Sequence, residues 1–106
     1  MSEYLYRLQP TRPAMLIDGL TPAEQEAVAS HFAYLQELAA AGVVLLFGRT
    51  QTTDAQTFGI VIYRAGSPDE ASRIMADDPA VRAGVMRAQV FPFRVAGVGP
   101  GLSEPP

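Results

Sequence analysis

The chain carries a single histidine, His31, and no cysteine, so side-chain proton transfer near neutral pH has one natural carrier. An imidazole held at one nitrogen by a carboxylate keeps a fixed tautomer and leaves the other nitrogen free to move a proton on a bound ligand. The sequence offers Asp77 and Asp78 immediately before Pro79. A residue that precedes proline is pushed out of helical geometry, so Asp78 is expected at a chain break, with its carboxylate presented at a helix-to-helix corner. A plainer alternative stands beside this one: His31 is a helix-flank residue satisfied by a neighbour, and Asp78 caps the turn that Pro79 opens. Spacing alone favours the plainer alternative. Arg12, in an apolar loop, and Arg49, after Gly48 at a strand end, are candidate contacts for an anionic ligand, against the commoner outcome of a solvated or salt-bridged arginine.

Other chemistries find little in the sequence. One histidine and no cysteine leave a zinc site short of strong ligands, since Asp77 and Asp78 would have to complete it. No glycine-rich dinucleotide loop, phosphate-loop lysine or nucleophile elbow is present, and no cofactor is expected. Phe47, Phe91 and Phe93 read as core or dimer contacts rather than stacking platforms, and Asp69-Glu70 as a first helical turn complementing the dipole. A net charge of −3, with eight arginines spread along the chain and no lysine, argues against a nucleic-acid partner. The start MSEYLYRLQP has neither a basic nor an apolar targeting region, and no apolar run approaches the roughly 20 residues that span a membrane. A cytoplasmic protein is the expectation.

The elements that must position these residues follow from periodicity and punctuation. The key stretch is Ser30 to Arg49, SHFAYLQELAAAGVVLLFGR. Thr21-Pro22 with Glu24 predicts a helix start, and the helix runs to about Ala41. Val28, Phe32, Leu35, Leu38 and Ala39 form its apolar stripe, with His31 on the flank facing an interior edge. Gly42 suits a left-handed cap. A strand from Val43 to Arg49 follows, then a polar turn over 50–56 and a second apolar strand from Thr57 to Arg64. Ser67-Pro68-Asp69-Glu70 opens a shorter helix to Ala76. Glu3 to Gln9 reads as a first, central strand. Val85 to Val95 reads as a last strand at an edge, because Pro92 lacks a backbone donor. Between the first strand and the first helix, the loop Pro10 to Leu20 holds Met15-Leu16-Ile17 and should fold back over something.

The order β-α-β-β-α-β predicts an α+β protein with a ferredoxin-like sandwich, a four-stranded antiparallel sheet with both helices on one face. Residues 1–96 would form one domain and 97–106 an extended or flexible tail. Val43 to Phe47 and Ile60 to Tyr63 are apolar at both parities, so the face away from the helices needs cover. A homodimer pairing two such sheets is the simplest solution.

Taken together, the run from His31 to Gly42 with its apolar strand and Gly48, the segment Ala76-Asp77-Asp78-Pro79 with Ala83-Gly84-Val85, and the strand with Phe91-Pro92-Phe93 resemble the YCII-related (YciI-like) family. The resemblance covers nearly the whole chain to Val95. It implies a dimeric α/β barrel of ferredoxin-like subunits and an active site made by a histidine and the Asp of an Asp-Pro pair, which fall here on His31 and Asp78. It turns the balance towards a catalytic His31–Asp78 dyad. By analogy with isomerase-like and dehydrochlorinase-like enzymes of this fold, it implies a small-molecule enzyme moving a proton on a small cyclic or aromatic-derived compound. The alternative is a non-catalytic module that binds a metabolite or a protein partner through the same cleft.

Overall fold

A computed structural model describes residues 1–103 of the chain. The elements are β1 (Ser2–Pro10), α1 (Met15–Asp18), α2 (Pro22–Ala40), β2 (Val44–Arg49), β3 (Gly59–Ala65), α3 (Pro68–Ala76), α4 (Pro79–Arg82) and β4 (Met86–Phe93). A short 3-10 turn, Pro100–Ser103, follows β4. The last part of the expected tail, 104–106, lies outside the described residues. The strands form one antiparallel sheet in the order β2-β3-β1-β4, the ferredoxin-like α+β arrangement. β1 is central as expected, and β4 with Pro92 lies at an edge. Among the described residues no helix is long and apolar enough to cross a membrane.

Local chemistry sets the helix boundaries. Thr21 accepts from the Glu24 N–H at 3.2 Å and its own N–H donates to Glu24 Oε1 at 2.9 Å, a reciprocal capping box with Pro22 in the first turn. At the other end Gly42 adopts φ 80°. The N–H groups of Gly42 and Val43 bond back to Ala39 and Leu38 at 3.1 and 2.9 Å, the paired bonds that a left-handed residue at this position allows. The chain is thereby turned directly into β2. Gly84, at φ 74°, ends α4 by the same pattern, with Gly84 and Val85 bonding to Val81 and Ala80.

The core lies between the sheet and the helices. Tyr4, Tyr6 and Leu8 alternate on the inner face of β1, beside Val61 and Tyr63 of β3 and Val44 of β2, and all are buried. Leu35, 1% exposed, plugs α2 into this layer; truncating it to alanine is expected to cost about 2–5 kcal/mol. Phe32 differs from the expected stripe. It is 51% exposed and packs edge-on against Phe47, with ring centroids 5.6 Å apart, and both rings border a cavity. The Pro10–Leu20 loop does fold back: it contains α1, whose Met15 is 3% exposed. β2 contains an irregularity between Val44 and Leu46, which leaves Leu45 exposed.

Candidate active site

Asp78 is placed by the break between α3 and α4. Its ψ of 124° is the extended conformation that a following proline enforces, and it is the N-cap of α4. The side chain is fully buried. Oδ1 accepts the Ala80 N–H at 3.0 Å, Oδ2 accepts the Tyr6 hydroxyl at 2.7 Å, and His31 Nδ1 lies 2.8 Å from both oxygens. Helix cap and histidine contact thus fall on the same carboxylate. With Asp78 ionised both oxygens are acceptors, which assigns the shared proton to Nδ1. Burial first, and the Asp78 carboxylate second, push the Tyr6 hydroxyl far above its ordinary range, which keeps it a neutral donor. Three donors from β1, α2 and α4 compensate a charge that would otherwise be costly to bury.

The helices are held at the spacing this contact needs. Tyr34, one turn beyond His31 on α2, donates its hydroxyl to the Ile74 carbonyl in the last turn of α3 at 2.8 Å. Its pKa is pushed up to about 12, by burial first and then by the charges of Asp77 and Asp78. Tyr34 therefore ties α2 to the helix that ends at the Asp77-Asp78 break.

His31 also borders a cavity of about 250 Å³, open on one side, between α1, α2 and the inner face of the sheet. Leu8, Met15, Leu16, Leu35, Phe47 and Val61 supply much of its wall. Gly59 makes part of the floor; a Cβ there would meet the Gly48 carbonyl at 3.2 Å and Leu8 Cδ1 at 3.8 Å. Asp78 is behind His31 and does not reach the cavity. The His31 side chain is 13% exposed, and with Nδ1 committed to Asp78, Nε2 has no hydrogen-bond partner among the described residues. Such an imidazole can accept a proton from a ligand at Nε2 while the carboxylate stabilises the imidazolium that results.

The two arginines that the sequence points to have separate fates. Arg49, at the end of β2, borders the cavity. Arg12 does not: its guanidinium donates to Glu24 Oε2 at 2.9 Å and to the Gly19 carbonyl at 3.1 Å, fastening the 11–20 loop to the start of α2. That pairing, through the hydrogen bond first, holds the Glu24 carboxyl at about 2. Tyr6 gives no comparable signal in the sequence, because its alternation with Tyr4 and Leu8 reads as core packing. Only a general rule points to it: a buried tyrosine hydroxyl seeks a partner. Thr57, buried and on the cavity wall, reads in the sequence only as the start of a strand. Among the described residues no three His, Asp or Glu side chains converge.

A family model for the YCII-related domain matches residues 4–94. The chain belongs to the YCII-related domain family. His31 and Asp78 both lie within the matched stretch. No protein of curated function matches the chain. Among solved structures, the chain is similar to the 5-chloro-2-hydroxyhydroquinone dehydrochlorinase TftG from Burkholderia phenoliruptrix AC1100, in complex with 2,5-dihydroxybenzoquinone. The TM-score is 0.61 at 23% identity, covering 86% of this chain and 93% of that one. It is also similar to SnoaB, a cofactor-independent oxygenase from Streptomyces nogalater, with a TM-score of 0.50 at 14% identity, covering 94% of this chain and 99% of that one. At these identities the two neighbours share the fold with this YCII-related chain.

Proposed function

We propose that the protein is a small-molecule enzyme in which His31 moves a proton at Nε2, while Asp78 fixes the ring and compensates its positive charge. The observation that carries this reading is a histidine whose Nδ1 is 2.8 Å from both oxygens of a fully buried aspartate while its ring borders an apolar cavity. Nε2 would accept a proton from an O–H or C–H of a small cyclic compound. The electron pair left behind then either captures the proton at another atom, an isomerisation, or expels a leaving group such as chloride, an elimination. Arg12, engaged with Glu24, has no ligand role in this scheme.

The dehydrochlorinase among the structural neighbours suggests the first compound to try. Wild-type protein offered 5-chloro-2-hydroxyhydroquinone should release chloride, and His31→Ala should lower the rate about 10²–10⁴-fold, the usual scale of general acid–base help. Turnover equal in both proteins would remove His31 from the chemistry. The second reading, a non-catalytic binding module, has one observation of its own: Asp78 caps α4 regardless of His31. It would gain if ligands bind in the cavity, no proton is exchanged on any of them, and His31→Ala weakens binding instead.

A homodimer through the open face of the sheet is part of the same proposal. Leu46, Ile62, Leu5 and Phe91 face one another in register across all four strands on the side away from the helices. Phe91 and Phe93 are 37% and 40% exposed there. A row of this kind calls for a partner, and a second copy brings a matching row.

A further inference from the structure

We infer that the ligand is a single-ring organic anion, with its reacting atom at His31 and its charged group held across the cavity by Arg49 and Thr57. The inference rests on the proton-transfer reading for the reacting end only. Size comes first. An apolar cavity of about 150 Å³ holds benzene, so a space of about 250 Å³ takes one ring with roughly four further heavy atoms.

Charge comes second. Among the described residues no aspartate or glutamate borders the cavity, and Arg49 is its one cationic side chain. The Arg49 side chain has no hydrogen bond or ion pair among the described residues, so its fork is available to a carboxylate or an ionised ring oxygen. It stands on the sheet side, paired in register with Gly59, while His31 stands on the helix side. The missing side chain at Gly59 leaves the space beside Arg49 open. An anion lying between them has its ring against apolar wall and its two ends at the two polar groups.

The β2–β3 connection adds a third observation. Thr57, on the cavity wall and 4% exposed, bonds Thr52 Oγ1 through its own Oγ1 at 2.7 Å. Thr52 Oγ1 in turn bonds Thr50 Oγ1 at 2.9 Å. Thr50 Oγ1 also accepts the Phe58 N–H at 3.1 Å. Three hydroxyls joined by two bonds leave one O–H proton that the described residues do not use. When the bonds run from Thr50 towards Thr57, that proton belongs to Thr57 at the cavity wall, and an anion beside Arg49 selects this polarity. The arrangement also suits the chemistry, since negative charge created at the His31 end of a conjugated ring spreads towards the guanidinium.

The test uses two probes of equal size, 4-hydroxybenzoate and the neutral 4-hydroxybenzamide, titrated into the full chain and followed by amide chemical shifts and calorimetry. The carboxylate should bind at least about fivefold tighter at 20 mM salt, with the preference reduced at 300 mM as the exposed guanidinium is screened. Arg49→Gln should bring the two probes within about twofold of each other, and Thr57→Val should reduce the preference without altering the circular dichroism spectrum. Equal affinities in the wild type, failure of both probes to bind, or a preference that survives Arg49→Gln overturns the inference. The proton-transfer reading fails separately: turnover unchanged in His31→Ala would remove it while an Arg49-dependent anion preference would still hold the ligand class.

Discussion

Replacing Asp78 by asparagine changes one atom type at the point where three donors meet. If the amide oxygen keeps the Ala80 N–H, which preserves the cap of α4, the amino group occupies the place of Oδ2. There it faces the Tyr6 hydroxyl, which now donates to Oδ2 at 2.7 Å, and His31 Nδ1. The Tyr6 hydroxyl can turn and accept, yet its proton then has no acceptor in a site with no exposure. A buried donor left unmade costs about 1–3 kcal/mol, and losing the charge-assisted character of the remaining bonds adds roughly 1 kcal/mol. We therefore expect a loss of about 2–4 kcal/mol in urea unfolding, with the same native circular dichroism spectrum. The amino group should also donate to Nδ1 and move the His31 proton to Nε2, which removes the base from the cavity. The single histidine makes this readable directly from its ¹⁵N ring shifts. A stability loss under about 0.5 kcal/mol together with an unchanged tautomer would refute the role assigned to Asp78.

Three further outcomes are expected. Tyr6→Phe should fold, lose about 1–2 kcal/mol for one donor to a charged acceptor, and leave the Nδ1–H tautomer in place, as checked by the same two measurements. Glu24 is depressed in the folded state from its ordinary 4.5 to about 2 by Arg12. Its contribution is thus complete above about 4.5 and disappears as pH falls towards 2; the stability gap between wild type and Glu24→Gln should be constant above pH 5 and close over that window. Light scattering at micromolar concentration should return a dimer burying about 1,600 Å² or more, and Phe91→Arg should return a folded monomer; a monomeric wild type would leave the open sheet face without its proposed cover.

What could be read from the sequence depended on how local the cause was. The start of α2 is written in Thr21, Pro22 and Glu24, and its end in Gly42, because capping bonds span only a few residues. Asp78 was legible for the same reason, since Pro79 dictates its backbone. Tyr6 was not, as its contact with Asp78 joins residues 72 apart in sequence, and nothing within β1 distinguishes a core tyrosine from one that holds a carboxylate. The role of Arg12 depended on where the 11–20 loop lands, which is set by Met15 finding the core. The cavity itself is a property of how α1, α2 and the sheet fail to meet around Gly59, so Phe32 could be placed on the apolar stripe but not at a rim. Val61, apolar like Ile62, proved to face the helices, and only the strand register separates the two.

Whether His31 and Asp78 act as one proton-transfer unit is tested most directly by a double-mutant cycle on turnover with His31→Ala, Asp78→Asn and both together. If they are one unit, the double variant is no slower than His31→Ala alone, because Asp78 acts only through the ring it holds. Effects that multiply, or a His31→Ala protein within about twofold of wild type, would contradict it.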